Sequence, residues 1–133
     1  MIAAVADTHT ALWYLLDDPK LSSLAKALIL EAETTRRKVA ISSISLVEVV
    51  YLVDKGRIPL SAYEDLAQAL ADPEHVFVEA VLSATIVESM RQVSRADVPD
   101  MPDRIVAATA VCFGVPVISR DRHIHAANLG TIW

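Results

Sequence analysis

The sequence predicts an α/β domain built on a mostly parallel sheet. Short apolar runs, of which Ile2 to Ala6 and Val115 to Ser119 are the clearest, alternate along the chain with longer segments of helical pattern. These runs lack the in/out polar alternation of a half-exposed strand, so they suit strands covered on both faces. Gly and Pro fall between the segments, at Pro19, Gly56, Pro73 and Gly114, where turns are needed.

Taken in order, Ile2 to Ala6 forms a first strand that ends at Asp7. From Thr8 to Leu16 the pattern turns helical, carried by Leu12, Trp13, Leu15 and Leu16, and Asp17, Asp18 and Pro19 break it. A helix from about Ser23 to Arg36 leads to a second strand, Val39 to Ser42. Residues Ser45 to Lys55 are helical and nearly all apolar, which predicts a helix buried on most sides and ended by Gly56. A further helix covers Ser61 to Ala71, with Ser61 as N-cap and Glu64 in capping-box position. His75 to Ala80 is a third strand and Ser83 to Arg95 a helix. After the Pro- and Asp-rich loop Asp97 to Pro102, Pro102 opens a helix that runs to Phe113 and is capped by Gly114. Val115 to Ser119 is a strand, Asp121 to Leu129 a short helix, and Thr131 to Trp133 a last strand.

The 133 residues fit a single domain, 1–133, without repeats or linkers. Hydrophobic residues make up 53% and charged residues 22%, a globular balance far from disorder. With only 5% aromatic residues, the core must be made of Ala, Val, Ile and Leu. The formal charge is −5, whereas nucleic-acid binders usually carry a basic excess. The basic residues nevertheless come in groups: Arg36, Arg37 and Lys38; Lys55 and Arg57; Arg91 and Arg95; Arg104; Arg120 and Arg122. They fit either a solvated surface or a rim that contacts phosphates. The one cysteine, Cys112, lies in an apolar run and reads as a buried, inert thiol. The absence of any possible internal disulfide suits a cytoplasmic protein. The first residues have neither the basic leader of a signal peptide nor an unbroken apolar span, so no membrane is expected.

Four acids stand where chemistry is expected in such a fold. Each has an ordinary explanation: Asp7 as a helix N-cap, Glu48 in capping-box spacing from Ser45, Asp103 in a helix's first turn, and Asp121 as cap of the last helix. Their joint placement is the informative point. The carboxyl ends of parallel strands and the helix starts beside them line one crevice. Asp7, Glu48 and Asp121 fall just after strands, and Asp103 starts a helix that leads into one. Carboxylates gathered there raise one another's pKa unless a cation neutralises them. Hard oxygen donors suit Mg²⁺ or Mn²⁺, which lowers the pKa of a water and steadies charge on a transferring phosphoryl group. Asp7, Glu48, Asp103 and Asp121 are therefore candidates for one divalent-cation site. Other chemistries fit less well. The histidines His9, His75, His123 and His125 form no zinc pattern with one cysteine, and His123 and His125 read as surface residues. There is no G-x-S-x-G elbow. Three glycines, Gly56, Gly114 and Gly130, cannot make a phosphate or dinucleotide loop.

The segments V-A-D-T-H-T-A-L-W, I-S-S-I-S-L-V-E-V, D-M-P-D-R-I-V-A-A-T-A and V-I-S-R-D, with the ending G-T-I-W, resemble in order the acidic motifs of PIN-domain proteins. The nearest subgroup is the VapC-like toxins of bacterial toxin–antitoxin pairs. The resemblance spans nearly the whole chain and implies a three-layer fold, a central sheet of about five parallel strands flanked by helices. It also implies a homodimer, Mg²⁺- or Mn²⁺-dependent cleavage of RNA, and inhibition by a small antitoxin protein. Asp7, Glu48 and Asp103 would hold the metal, with Asp121 as a fourth acid and Thr8 and Ser119 as supporting hydroxyls. Haloacid dehalogenase-like phosphatases also end their first strand in Asp but need a second Asp two residues on, where this chain has His9. Two further readings within the fold are a nuclease without an antitoxin and a non-catalytic binding module. The run L-V-E-V-V-Y-L-V either is a fully buried core helix or meets a second copy with part of its surface; of Leu12, Trp13, Leu15, Leu16, Leu21, Leu24 and Leu28, part must serve the core and the remainder would supply a groove for an antitoxin helix.

Overall fold

A computed structural model describes residues 1–127 and 129–133. Four parallel strands form one sheet in the order β3-β2-β1-β4: β1 (Ile2–Ala6), β2 (Lys38–Ser42), β3 (Phe77–Ala80) and β4 (Val117–Ile118). Seven helices are described: α1 (Thr8–Leu15), α2 (Ser23–Thr34), α3 (Ser43–Asp54), α4 (Leu60–Ala71), α5 (Ala84–Ser89), α6 (Met101–Phe113) and α7 (Arg122–Ala126). None of the described helices is long and apolar enough to cross a membrane.

Strand side chains alternate between two cores. Ala4, Ala6, Val39, Ile41 and Ile118 pack with α1–α4, through Leu12, Ile29, Val49 and Leu66. Val5, Ala40 and Val117 face the other way, against Ile86, Val106, Ala110 and Ile124 of α5–α7. The sheet is thus the middle of three layers, as the apolar runs predict. Full burial of Ile29, Leu66 or Phe77 contributes about 1.5–3 kcal/mol each. Gly114 ends α6 in the left-handed region (φ 65°), and its N–H reaches back to the carbonyls of Ala110 and Val111.

The boundaries differ from expectation where a local hydrogen bond or a missing donor decides. The fifth strand is reduced to one parallel bridge, Ile118 to Ile132, although Ile132 N–H donates to Val117 O at 2.8 Å and Ser119 N–H to Ile132 O at 3.1 Å. β4 is short because Pro116 has no N–H to give the ladder. Helix α3 starts at Ser43 with Ser42 as its cap, so Ser45 and Glu48 form no capping box. Helix α4 has Pro59 at its N-cap position with no side-chain bond, which leaves Ser61 inside the helix. Helix α5 stops at Ser89 and tightens into a 3₁₀ turn, Met90–Gln92, well short of Arg95. The expected helix Asp121 to Leu129 is shorter, and Asn128 within it lies outside the described residues.

Two burial expectations also change. Cys112 is only partly buried. Helix α3 is not covered on most sides: Val47, Val50 and Tyr51 are 49%, 40% and 62% exposed. The four-stranded sheet accepts only one stripe of that helix, so its remaining apolar residues face outward.

Candidate active site

The site grows from the carboxyl rim of the sheet. Asp7 follows β1 directly and caps α1, its Oδ1 accepting the Thr10 N–H at 2.9 Å. Its Oδ2 accepts a short hydrogen bond from the buried Ser119 hydroxyl, just past β4. Ser119 Oγ in turn accepts the Asp121 N–H at 2.9 Å. One serine therefore ties the ends of two adjacent strands and spaces their acids. Asp121 caps α7, with Oδ1 accepting the N–H groups of His123 (2.8 Å) and Ile124 (3.1 Å).

Glu48 projects from α3, one turn beyond the buried Ser45. The Thr8 hydroxyl donates to Glu48 Oε1 at 2.5 Å. Thr8 Oγ1 also lies 2.8 Å from Ser45 Oγ. Its single proton goes to the carboxylate, so Ser45 is the donor of that second bond. Asp103 sits in the first turn of α6, whose N-cap is Asp100; Asp100 Oδ2 accepts the Asp103 N–H at 3.2 Å.

All four acids line one cleft of about 580 Å³, with Asp100 as a fifth and Thr8, His9, Trp13, Lys20, Ile58 and Arg120 completing the wall. The electrostatic cost falls on Asp103. Burial foremost, and then the charges of Asp121, Asp100, Glu48 and Asp7, push its carboxyl from 3.8 up to about 7. Glu48 is also raised, chiefly by burial and further by Asp100 and Asp7, while the Thr8 hydrogen bond and His9 pull it back.

The expectation of convergence on one point is corrected in one respect. Among the described residues, no group of three or more His, Cys, Asp or Glu side chains stands close enough to hold an ion as placed. The acids share the cleft but stand apart within it, as like charges do. Their chemistry still fits a hard divalent cation. Hydrogen bonds fix Glu48 and Asp121 through one oxygen each, and neither the other oxygens nor the Asp103 carboxylate has a hydrogen-bond partner among the described residues. His123 and His125 are exposed, as expected. His125 nonetheless ties the rim, with Nε2 2.5 Å from Ser119 O and Nδ1 3.0 Å from Thr131 Oγ1.

Sequence reasoning missed Asp100 and His9 as parts of this wall, and left Arg120 open between a solvated surface and a phosphate-contacting rim. The signal for Asp100 was present: an Asp three residues before Asp103 puts both acids at one helix start. The basic group Arg120 and Arg122 was visible in the sequence, but the position of Arg120 over the Trp13 ring depends on a partner found in space.

A family model for the PIN domain matches residues 4–128. The chain is 26% identical over 126 residues to ribonuclease VapC22 of Mycobacterium tuberculosis (strain ATCC 25618 / H37Rv), covering 95% of this chain and 92% of that protein. Its fold is similar to that of VapBC2 from Rickettsia felis bound to a DNA fragment from its promoter. The TM-score there is 0.69 at 16% identity, over 97% of this chain and 95% of the other. It is also similar to FitAcB from Neisseria gonorrhoeae, with TM-score 0.62 at 19% identity over 100% and 97% of the two chains.

Proposed function

From the premise that the chain belongs to the PIN-domain family, we propose that it is an Mg²⁺- or Mn²⁺-dependent endoribonuclease, the toxin of a toxin–antitoxin pair. The observation that carries this reading is the gathering of Asp7, Glu48, Asp103 and Asp121, from four separate segments, in one cleft where burial and the neighbours' charges push the Asp103 carboxyl's pKa up to about 7. The similarity to a ribonuclease over nearly the full length of both chains supports it.

In this reading Asp7, Glu48 and Asp103 hold the cation and Asp121 adds charge beside it. The bound ion supplies an acidified water and positive charge for the phosphate. The chain's own part is to hold the acids at fixed spacing. Ser119 orients Asp7 and the backbone of Asp121, and Thr8 orients Glu48. The test is cleavage of single-stranded RNA by the purified protein with Mn²⁺, then with excess chelator. Metal-dependent cleavage lost in Asp7→Asn is the expected result; cleavage unchanged by chelator overturns the reading, and binding without cleavage favours a non-catalytic module.

The proposed partners use two apolar surfaces. Trp13, Leu15, Leu21 and Leu28 are only partly buried, and Leu16 and Leu24 are 48% and 59% exposed, which leaves anchors for an amphipathic antitoxin helix. Leu12 is the member of the set that the core takes. The outward stripe of α3, through Val47, Val50 and Tyr51, suits a two-fold homodimer. Co-purification with an antitoxin from a neighbouring gene, and loss of cleavage in the complex, tests the first. Sedimentation at micromolar concentration tests the second, a monomer counting against it.

A further inference from the structure

A cleft lined by five carboxylates, on a chain of formal charge −5, is a poor seat for a polyanion. Among the described residues, two permanently cationic side chains line it, Lys20 and Arg120. Lys20 lies 3.8 Å from Asp18. Arg120 stands beside Asp121 in sequence, yet the ion pairs among the described residues involve Lys20, Lys26, Arg37, Arg91 and His123 and never Arg120. Its guanidinium instead lies over the indole of Trp13, 4.7 Å from the ring centre.

Trp13 is built to stay in place. It projects from α1, the helix that Asp7 caps, so the indole and the first acid share one rigid element. Trp133 braces it at 5.7 Å, and the chain end that carries Trp133 is hydrogen-bonded to β4 through Ile132. His9 stands at 5.6 Å on the other contact. Both rings are tilted, by 59° and 44°, so neither stacks parallel on the indole. Among the described residues, the group recorded over its face is the exposed Arg120, which no hydrogen bond or ion pair anchors.

We propose that Trp13 and Arg120 form the substrate-positioning seat for single-stranded RNA: a nucleobase next to the cleaved phosphate stacks on the indole face that Arg120 covers, and the released guanidinium pairs with the adjoining phosphate. This rests on the ribonuclease reading and assigns the residues that hold its single-stranded substrate. Stacking requires an unstacked base, so single strands and loops are taken and duplexes refused. Every base offers a π-face, so the seat is tolerant of sequence. Arg120 supplies the phosphate contact that the acidic rim lacks.

Fluorescence and kinetics test this together. In an Asp7→Asn, Trp133→Phe protein, Trp13 is the only tryptophan, so its emission reports the seat directly. A short single-stranded RNA should quench it, and the same sequence as a duplex should not. In the otherwise natural protein, Trp13→Ala should raise KM for RNA roughly 5- to 100-fold with a smaller change in kcat, and Trp13→Phe should keep most of the affinity. Arg120→Ala should weaken binding alike for all sequences and reduce the salt dependence by about one phosphate contact, with partial recovery in Arg120→Lys. If Trp13→Ala misfolds, Arg120→Ala and the comparison of quenching by single strand and duplex still decide. Cleavage with unchanged KM in Arg120→Ala, and in Trp13→Ala where it folds, or equal quenching by duplex, overturns the seat and leaves the nuclease reading standing. Quenching by single strands with no cleavage by the natural protein does the reverse. Loss of antitoxin binding in the Trp13 variants with RNA kinetics untouched assigns the surface to the antitoxin and also overturns the seat.

Discussion

The two rims of the sheet treat charge in opposite ways. At the amino rim, where β2 and β3 begin, charged groups find partners. Lys38 Nζ donates to Pro73 O at 2.9 Å and to His75 O at 2.6 Å, and Arg37 lies 3.6 Å from Glu31. His75 gives its Nδ1 lone pair to the Phe77 N–H, and burial above all holds its pKa below the ordinary value. At the carboxyl rim, Asp7, Glu48, Asp100, Asp103 and Asp121 crowd one cleft, and Asp103 is driven up to about 7. The first arrangement stabilises the fold; the second costs stability through burial and like-charge repulsion. In an open parallel sheet that contrast marks the carboxyl rim as the working end.

The contrast breaks most visibly if the acids can be neutralised without loss. Asp7→Asn keeps shape but removes a charge and one of the two acceptors that Thr10 N–H and the Ser119 hydroxyl use, so RNA cleavage should fall by more than about a hundredfold while circular dichroism is unchanged. Ser119→Ala removes the hydroxyl that joins Asp7 to the Asp121 backbone. Apparent Mn²⁺ affinity, read from the metal dependence of cleavage, should weaken about 10- to 100-fold. Asp103→Asn should do the opposite to stability. With chelator present, the folded carboxyl keeps its proton up to about pH 7, whereas the unfolded one loses it near 3.8. Natural-protein stability therefore falls as pH rises between those values and is lowest above 7. The Asn variant should be about 1–2 kcal/mol more stable at pH 8, an amount reduced by the carboxyl's partial solvent access, and the gain should vanish by pH 4. Lys38→Met tests the amino rim. It should lower stability by about 1 kcal/mol in denaturant melts and leave cleavage unchanged.

Much of this was legible in the sequence because it depends on local chemistry. The apolar runs gave β1 with its observed bounds, since Ile2–Ala6 needs only two buried faces. Asp7 and Asp121 were readable as acids that cap helices just after strands, and both do so. Ser45 was misread as a cap. Ser42, which also ends a strand, takes that role, and Ser45 serves the Thr8–Glu48 network instead. No periodicity could reveal that choice, because it is made by a residue from another element. The same holds for Arg120 over Trp13, which are 107 residues apart by number, and for the exposed stripe of α3, which depends on how much of a helix the sheet can cover.

The central claim, that the carboxyl rim is built around a divalent cation, is tested most directly by thermal unfolding with and without millimolar Mn²⁺. A ligand bound only by the folded state raises the melting temperature. The natural protein should gain several degrees with Mn²⁺. Asp103→Asn should start higher in chelator, for relief of repulsion, and gain little or nothing from the metal. No shift in the natural protein, or the same shift in both, would contradict a metal site at these acids.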